Sequence, residues 1–425
     1  MNTKAFLFCR LRASMSLAGL VLALVHWSAP VQAAESQGLG ALLAQAVRQH
    51  PSVLQARGQA RAAGFELDSA NWLRFPTLSA EARVGIGVNQ NVVKGEQPLW
   101  SGGKITGQIQ LAQANERLAI AAVQEAEFNV LVQLSSAFLE SLRLEARLVT
   151  AAQNVAEHER LLRLIQRRVK AEISPMADET LAQARLQQAL AERIQLQRQR
   201  DGARLQLNQW SGMQIASVLA APKDIVFTRR GSSALVQDKA LAYLPQRSRL
   251  RAQIDIADAQ IVLSKSAFYP TVVAGYQYTW DSTLSGANSS GAYLALQFQP
   301  GAGLSAQSNE QVATSRKEAV QQELQALDLN LSAQVLAAVT ELDALDEQLA
   351  PASALLSSTT EVVESYLRQY QIGRKNWLDV LNAQREMTQA LYNVADTEFG
   401  HQLAKLKLML LTGDITVQQL SAIHD

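Results

Sequence analysis

Cysteine is all but missing from this chain of 425 residues: the single one, Cys9, lies close to the N-terminus. No disulfide can staple the fold and no paired thiols can hold a metal. The five histidines (26, 50, 158, 401 and 424) show no metal-ligand spacing, and no nucleophile stands at a motif distance from a base. The sequence therefore offers no catalytic set, no cofactor site and no metal site. Charge of one sign is lacking too. Lys and Arg number 39 against 38 Asp and Glu, so nothing calls for nucleic acid or an anionic membrane surface. Beyond residue 33 there is no apolar run of the ~18 residues that a transmembrane helix needs.

The most telling absence is internal. Gln108 to Ser174 contains neither Gly nor Pro. Within it Leu111, Ala114, Leu118, Ala121, Phe128, Val132, Ser135, Leu139, Leu142, Ala146 and Val149 recur in three- and four-residue steps, with one miss at Glu125. That is the stripe of a coiled-coil-like helix. At 1.5 Å per residue it would be roughly 100 Å long, a length no ordinary globular domain uses.

At the N-terminus, Lys4, Arg10 and Arg12 precede an apolar run from about Met15 to Val25, and Val31-Gln32-Ala33 offers small residues at both recognition positions. Residues 1–33 read as a secretory signal peptide cleaved after Ala33. Removing it takes away three basic residues and Cys9 and leaves a thiol-free chain, which suits a bacterial periplasm or outer membrane.

The remainder looks like one plan used twice. His50-Pro51 is followed 25 residues on by Phe75-Pro76-Thr77, and Leu244-Pro245 by Tyr269-Pro270-Thr271, an offset of 194. Later the offset is 201: Asp178 with Asp379, Ala182-Gln183 with Ala383-Gln384, Gly212 with Gly413. Seven extra residues must lie between the Pro-Thr marker and the long helix of the second half. The halves are 34–235 and 236–425, the second ending in a short tail. Each is expected to hold a first helix (about 39–72, 236–267), a strand pair (77–88 with 92–100, 271–280 with 292–299), a long helix (104–170, 305–371) and a return helix (177–210, 377–411). Pro351 should kink the second long helix, unless two helices meet there.

The strands alternate. Leu78, Ala80, Ala82, Val84, Ile86 and Val88 interleave with Thr77, Ser79, Glu81, Arg83, Gly85 and Gly87; Val272, Ala274, Tyr276, Tyr278 and Trp280 interleave with Thr271, Val273, Gly275, Gln277 and Thr279. A period of two with one apolar face suits a membrane barrel and equally a soluble amphipathic sheet. Four strands cannot close a barrel alone, so the membrane reading demands an oligomer. Ser101-Gly102-Gly103-Lys104 resembles the tail of a phosphate loop but lacks the preceding glycine. Gly102 and Gly103, like Gly301 and Gly303, are better read as turns from strand to long helix.

Polar residues gather where each long helix reverses: Arg168 to Asp178, and Tyr370 to Asn382. Together with Phe75-Pro76-Thr77-Leu78-Ser79, Gln97-Pro98-Leu99-Trp100-Ser101-Gly102-Gly103, Tyr370-Gln371-Ile372-Gly373 and Leu378-Asp379-Val380-Leu381-Asn382-Ala383-Gln384-Arg385, they make the chain resemble the TolC family of outer-membrane channel proteins. The resemblance covers the whole mature chain. It implies a mainly α fold with a small β part: a homotrimer sharing a twelve-stranded barrel in outer-membrane lipid, continued by a helical barrel across the periplasm. It further implies a periplasmic adaptor (membrane fusion) protein and an inner-membrane ABC or proton-driven transporter as partners. In the gate at the periplasmic tip, Asp178 would accept a hydrogen bond from Tyr370 and Lys375 would be the basic partner. Asp379 would form a carboxylate ring, weakened because Asn382 fills the second acidic position. Glu172 stands where a glycine is usual, which puts that turn in question. Adaptor contacts would fall on Ala171, Glu172, Ile173 and Ser174, and on Ile372, Gly373 and Arg374. Gln299-Pro300-Gly301-Ala302-Gly303-Leu304 resembles the LapE-like, agglutination-protein subgroup that secretes large adhesins by the type I route. Multidrug efflux is the alternative cargo. A pore-less periplasmic coiled-coil scaffold and a secreted enzyme are the readings from other classes.

Overall fold

The computed structural model describes residues 38–85, 88–215, 219, 232–281, 288–303 and 305–415. The signal-peptide reading of 1–33, Ile86, Gly87, Leu304 and the tail after residue 415 lie outside them. The elements are α1 (Leu39–Gln49), α2 (Pro51–Trp72), β1 (Thr77–Gly85), β2 (Val88–Trp100), α3 (Lys104–Lys170) and α4 (Met176–Ser211), then α5 (Ser233–Tyr243), α6 (Pro245–Ser266), β3 (Thr271–Asp281), β4 (Ser289–Gln297), α7 (Ser305–Gln371) and α8 (Trp377–Thr412). The plan repeats element for element. Both long helices have 67 residues and both return helices 36.

Three details correct the sequence reading. The first helix of each half is two helices. His50 and Leu244 are extended (ψ 132° and 125°) because each precedes a proline, whose ring disfavours the helical region for its predecessor. Pro51 and Pro245 then open α2 and α6, where a missing N–H costs nothing. Second, β2 begins at Val88 rather than Val92, and Val88 pairs with Gly85 across the hairpin instead of ending β1. Third, of the two expectations at Pro351 the alternative falls: α7 runs through it as the single helix expected, so two helices do not meet there. Beyond the proline the Ser353 hydroxyl donates back to the carbonyls of Leu349 and Ala350, at 2.9 and 3.1 Å. The offset is 194 between β1 and β3 starts and 201 between β2 and β4 starts, which assigns the seven extra residues to the second hairpin.

The sheet is an antiparallel meander in the order β1-β2-β3-β4. Its pairing sorts the side chains by face. Leu78 opposite Gly95, Val93 opposite Tyr278, Tyr276 opposite Ala292 and Ala274 opposite Leu294 share the apolar face. Thr77, Glu96, Gly275 and Tyr293 form one row of the polar face, and Ser79, Lys94, Gln277 and Gly291 the next. Strands of 9 to 13 residues match the ~9–11 needed to cross a bilayer at a tilt. Register slips between Pro98 and Trp100, since proline has no N–H for the ladder. Among the described residues no helix is long and apolar enough to cross a membrane.

Each strand pair passes into its long helix through glycines in the left-handed region: Gly102 and Gly103 (φ 58° and 92°), Gly301 and Gly303 (φ 86° and 56°). At Gly102 a Cβ would lie 2.3 Å from Cβ of Tyr269, so the residue must be glycine for contact as well as for torsion. The main core lies midway along the long helices. There Leu134 and Phe138 of α3, Val335 of α7 and Leu408 of α8 meet the short α1 and α5 through Leu43 and Ala240. A smaller core closes the far end of the helices, and that end carries the candidate site.

Candidate functional site at the helical tip

Both hairpin turns close alike. In the first, Ile173 N–H donates to the Arg168 carbonyl at 2.8 Å and Glu172 N–H to that of Val169 at 2.9 Å. In the second, Arg374 N–H donates to Gln369 at 2.9 Å and Gly373 N–H to Tyr370 at 3.1 Å. This is the six-to-one closure of a Schellman motif, which needs one left-handed residue. Gly373 supplies it at φ 78° and Glu172 at φ 60°. The doubt raised by Glu172 is thereby removed: the turn keeps its geometry and carries the strain instead.

Beneath the turns, Leu161, Ile165, Ala182, Tyr370, Trp377, Val380 and Leu381 form the tip core. The Tyr370 ring is tilted against Trp377 at 5.1 Å, and the Arg168 guanidinium lies 4.8 Å over it. Held between them, the Tyr370 hydroxyl meets Ser174 Oγ at 3.2 Å, and Arg168 Nε donates to the same oxygen at 3.3 Å. The expected bond from Tyr370 to Asp178 is not made within the protomer. The stacking aims the phenol at the α3–α4 turn, whereas Asp178 lies in the first turn of α4. Lys375 sits 4.2 Å over the Tyr366 ring and 3.8 Å from Asp379 Oδ2. Asp379 also closes a capping box with Asn376, its carboxylate taking the Asn376 N–H at 3.4 Å. Asn382, one turn along, is half-buried.

Ala171, Glu172, Ile173, Ile372, Gly373 and Arg374 are exposed and Ser174 half-buried. Ile173 and Ile372 are left 63% and 67% accessible. Arg168, Trp377 and Tyr366 are the tip residues whose roles sequence reasoning missed. The available signal was the spacing of Tyr366 and Tyr370, one helical turn apart with Trp377 just past the turn.

Further along, polar ties join α3 of the first half to α8 of the second. Arg143 and Arg147 both reach Asp396, at 2.6 and 3.2 Å. The Arg147 guanidinium lies 4.6 Å over the Tyr392 ring, and Thr388 donates to Asn154 Oδ1 at 3.0 Å in a buried pair. These flank a cavity of about 70 Å³ lined by His158, Arg185, Glu192 and Arg385 among others. His158 Nδ1 has no hydrogen-bond partner there, and neither has the buried Oε1 of Gln384 on α8. Burial holds the His158 pKa below its ordinary value, nearby Arg185 pushing the same way and Glu157 opposing. Among the described residues no cluster of His, Cys, Asp or Glu could hold a metal.

Comparison with known proteins agrees with this architecture. A membrane protein from Pseudomonas aeruginosa superposes with a TM-score of 0.78 at 20% identity, covering 88% of this chain and 90% of that one. The outer membrane protein VceC from Vibrio cholerae superposes with a TM-score of 0.76 at 17% identity, covering 88% and 96%. The MtrE outer membrane channel of Neisseria gonorrhoeae, solved in its open state, gives 0.71 at 16% identity and 88% of each chain. No curated protein matches the chain by sequence. The family model described as outer membrane efflux protein matches residues 42–213 and again 236–414, most of both halves: the chain belongs to the outer membrane efflux protein family.

Proposed function

We propose that this protein is the outer-membrane exit duct of a tripartite export system, working as a homotrimer. One observation carries the reading: in both halves, strands with one apolar and one polar face run directly into a 67-residue helix. The sheet has unpaired edges at β1 and β4, which cannot stand open in lipid. Pairing β4 of one protomer with β1 of the next closes a barrel, and the helices carry its bore into the periplasm. No step is catalytic; energy comes from an inner-membrane transporter through a periplasmic adaptor, which docks on residues 171–174 and 372–374. The signal peptide is removed after Ala33 on the way out of the cytoplasm.

The gate is the tip. Tyr370, held to Ser174 and Arg168, ties the second hairpin to the first, with Lys375 and Asp178 as the gate's further polar members. Three copies of Asp379 form a ring that concentrates cations in a narrow, water-filled entrance, with Asn382 making a weaker trap than a second carboxylate. The Pro300-Gly301-Ala302-Gly303 turn favours type I secretion of a large adhesin as the cargo route, with drug efflux as the second reading.

The test is current through purified protein in a planar bilayer, with the oligomer mass measured alongside. A trimer with small, cation-blocked conductance is expected, and larger conductance for Tyr370→Phe combined with Lys375→Ser. A water-soluble protein that passes no current would overturn the duct and restore the coiled-coil scaffold. Undiminished cation block in Asp379→Ala would move the carboxylate ring elsewhere.

A further inference from the structure

Tyr293 lies on the polar face of the sheet, in the row Thr77, Glu96, Gly275, Tyr293 that crosses all four strands. From β4 its side chain reaches past β3 to β2, where the hydroxyl donates to Glu96 Oε1 at 2.6 Å. Two strand spacings are about 9.6 Å, so the ring can make that reach only by lying against the strand between. The residue beneath it is Gly275. A Cβ there would come within 2.4 Å of Tyr293 Cζ and 2.6 Å of Oη, distances no real contact tolerates. The other oxygen of Glu96, Oε2, is held by Lys94 Nζ at 3.2 Å. The tyrosine is thus laid flat by a missing side chain and tethered at its far end by a carboxylate that is itself held. Gly275 has no other evident reason to be glycine: its φ is not positive, and glycine inside a strand weakens it.

We infer that Gly275 and Glu96 hold Tyr293 against the barrel wall, and that the position of this ring sets the bore of the duct at the level of the sheet. The inference rests on the exit-duct reading, which makes the polar face the lumen. In the trimer three such rings lie flush at one height; released together, they project into the lumen and narrow it. Size selection at the barrel then depends on a glycine, whereas the tip gate depends on helix movement, so the two constrictions respond to different substitutions.

Single-channel conductance of Gly275→Ala against Gly275, both in the Tyr370→Phe/Lys375→Ser background whose opened tip no longer limits the current, tests this. Conductance is expected to fall about two-fold, as a crowded constriction requires, and to return to the original level or above in Gly275→Ala/Tyr293→Ala, which removes the displaced ring. Original conductance in Gly275→Ala overturns the inference, and so does a double variant as narrow as the single one, since the effect would then come from the strand. Should Gly275→Ala fail to assemble, Tyr293→Phe adds no volume and removes only the tether. Transient reduced-conductance levels are expected from it, and a steady current at the original level overturns the inference. Absence of any current from the unaltered protein sinks the duct reading itself, a separate outcome.

Discussion

The two hairpin turns at the tip have one backbone and two chemistries. At an offset of 201, Glu172 stands opposite Gly373, Met176 opposite Trp377, Pro175 opposite Asn376 and Val169 opposite Tyr370. The closing hydrogen bonds are the same in both. What differs is where the side chains go: Met176 is 68% accessible and Trp377 2%. The first turn presents its apolar residues outward, while the second folds its aromatics inward onto α3 and α4. Duplication kept the turn and reassigned the residues, making one hairpin a platform and the other the piece that rests on it. If the tip is the gate proposed above, only the second needs to move for it to open.

Trp377 is the sharpest point at which to break that asymmetry. Trp377→Ala should cost about 3–5 kcal/mol, the range for deleting a buried aromatic, and loosen the second hairpin alone. Hydrogen exchange should rise for amides in the last turn of α7 and the first of α8, with little change midway along the helices. Met176→Ala, at the equivalent position, should change stability by no more than about 0.5 kcal/mol, as exposed sites do. If the two variants cost the same, the division into platform and moving piece is wrong.

The left-handed residue gives a pair of opposite sign. Gly373→Ala should cost about 1–2 kcal/mol, the strain of a Cβ in that conformation; nothing lies within 4 Å of the added atom, so the cost is purely of the backbone. Glu172→Gly should stabilise by a few tenths to about 1 kcal/mol, because relief of the same strain exceeds the extra freedom glycine gives the unfolded chain. Melting temperatures of the detergent-solubilised protein would show one fall and one rise. Two falls would mean that the Glu172 side chain contributes more than its strain costs.

How far the sequence could be read depended on which residues carried the information. The long helices were legible almost to the residue. The 67 positions from Gln108 to Ser174 hold neither Gly nor Pro, and only Gly107 interrupts the run back to Gly103, so α3 has few places to stop. The break at His50 was written plainly in Pro51 but is easily passed over, because α1 and α2 are both helical and only one residue between them is not. The start of β2 was obscured by Gln90 and Asn91, which put polar groups on both faces and erase the alternation. The partner of Tyr370 was beyond reach from spacing. It is set by Trp377 and Arg168 closing on the ring from a different helix and a different half, a tertiary choice with no local mark. The glycine beneath Tyr293 belongs to the same class: its role appears only once the register of three strands is known.

The polar layer behind the tip sharpens the comparison most gently, through pH. His158 sits between the first-half platform and α8, with Arg185 and Glu192 facing it from α4 and Arg385 from α8. Its pKa in the folded protein is lowered, chiefly by burial, whereas in the unfolded chain it titrates near 6.5. Between those two values the unfolded state binds a proton that the folded state refuses, so folding loses stability as pH falls below about 6.5 and levels off once the folded value is passed. The slope cannot exceed about 1.4 kcal/mol per pH unit for one group. Denaturant midpoints measured from pH 7.5 down to 5 should show this decline, and His158→Gln should remove one proton's worth of it. A variant with the same slope as the original would assign the acid sensitivity to other groups. Loss of the slope would mark the layer above the tip as the place where acid first loosens the second half from the first.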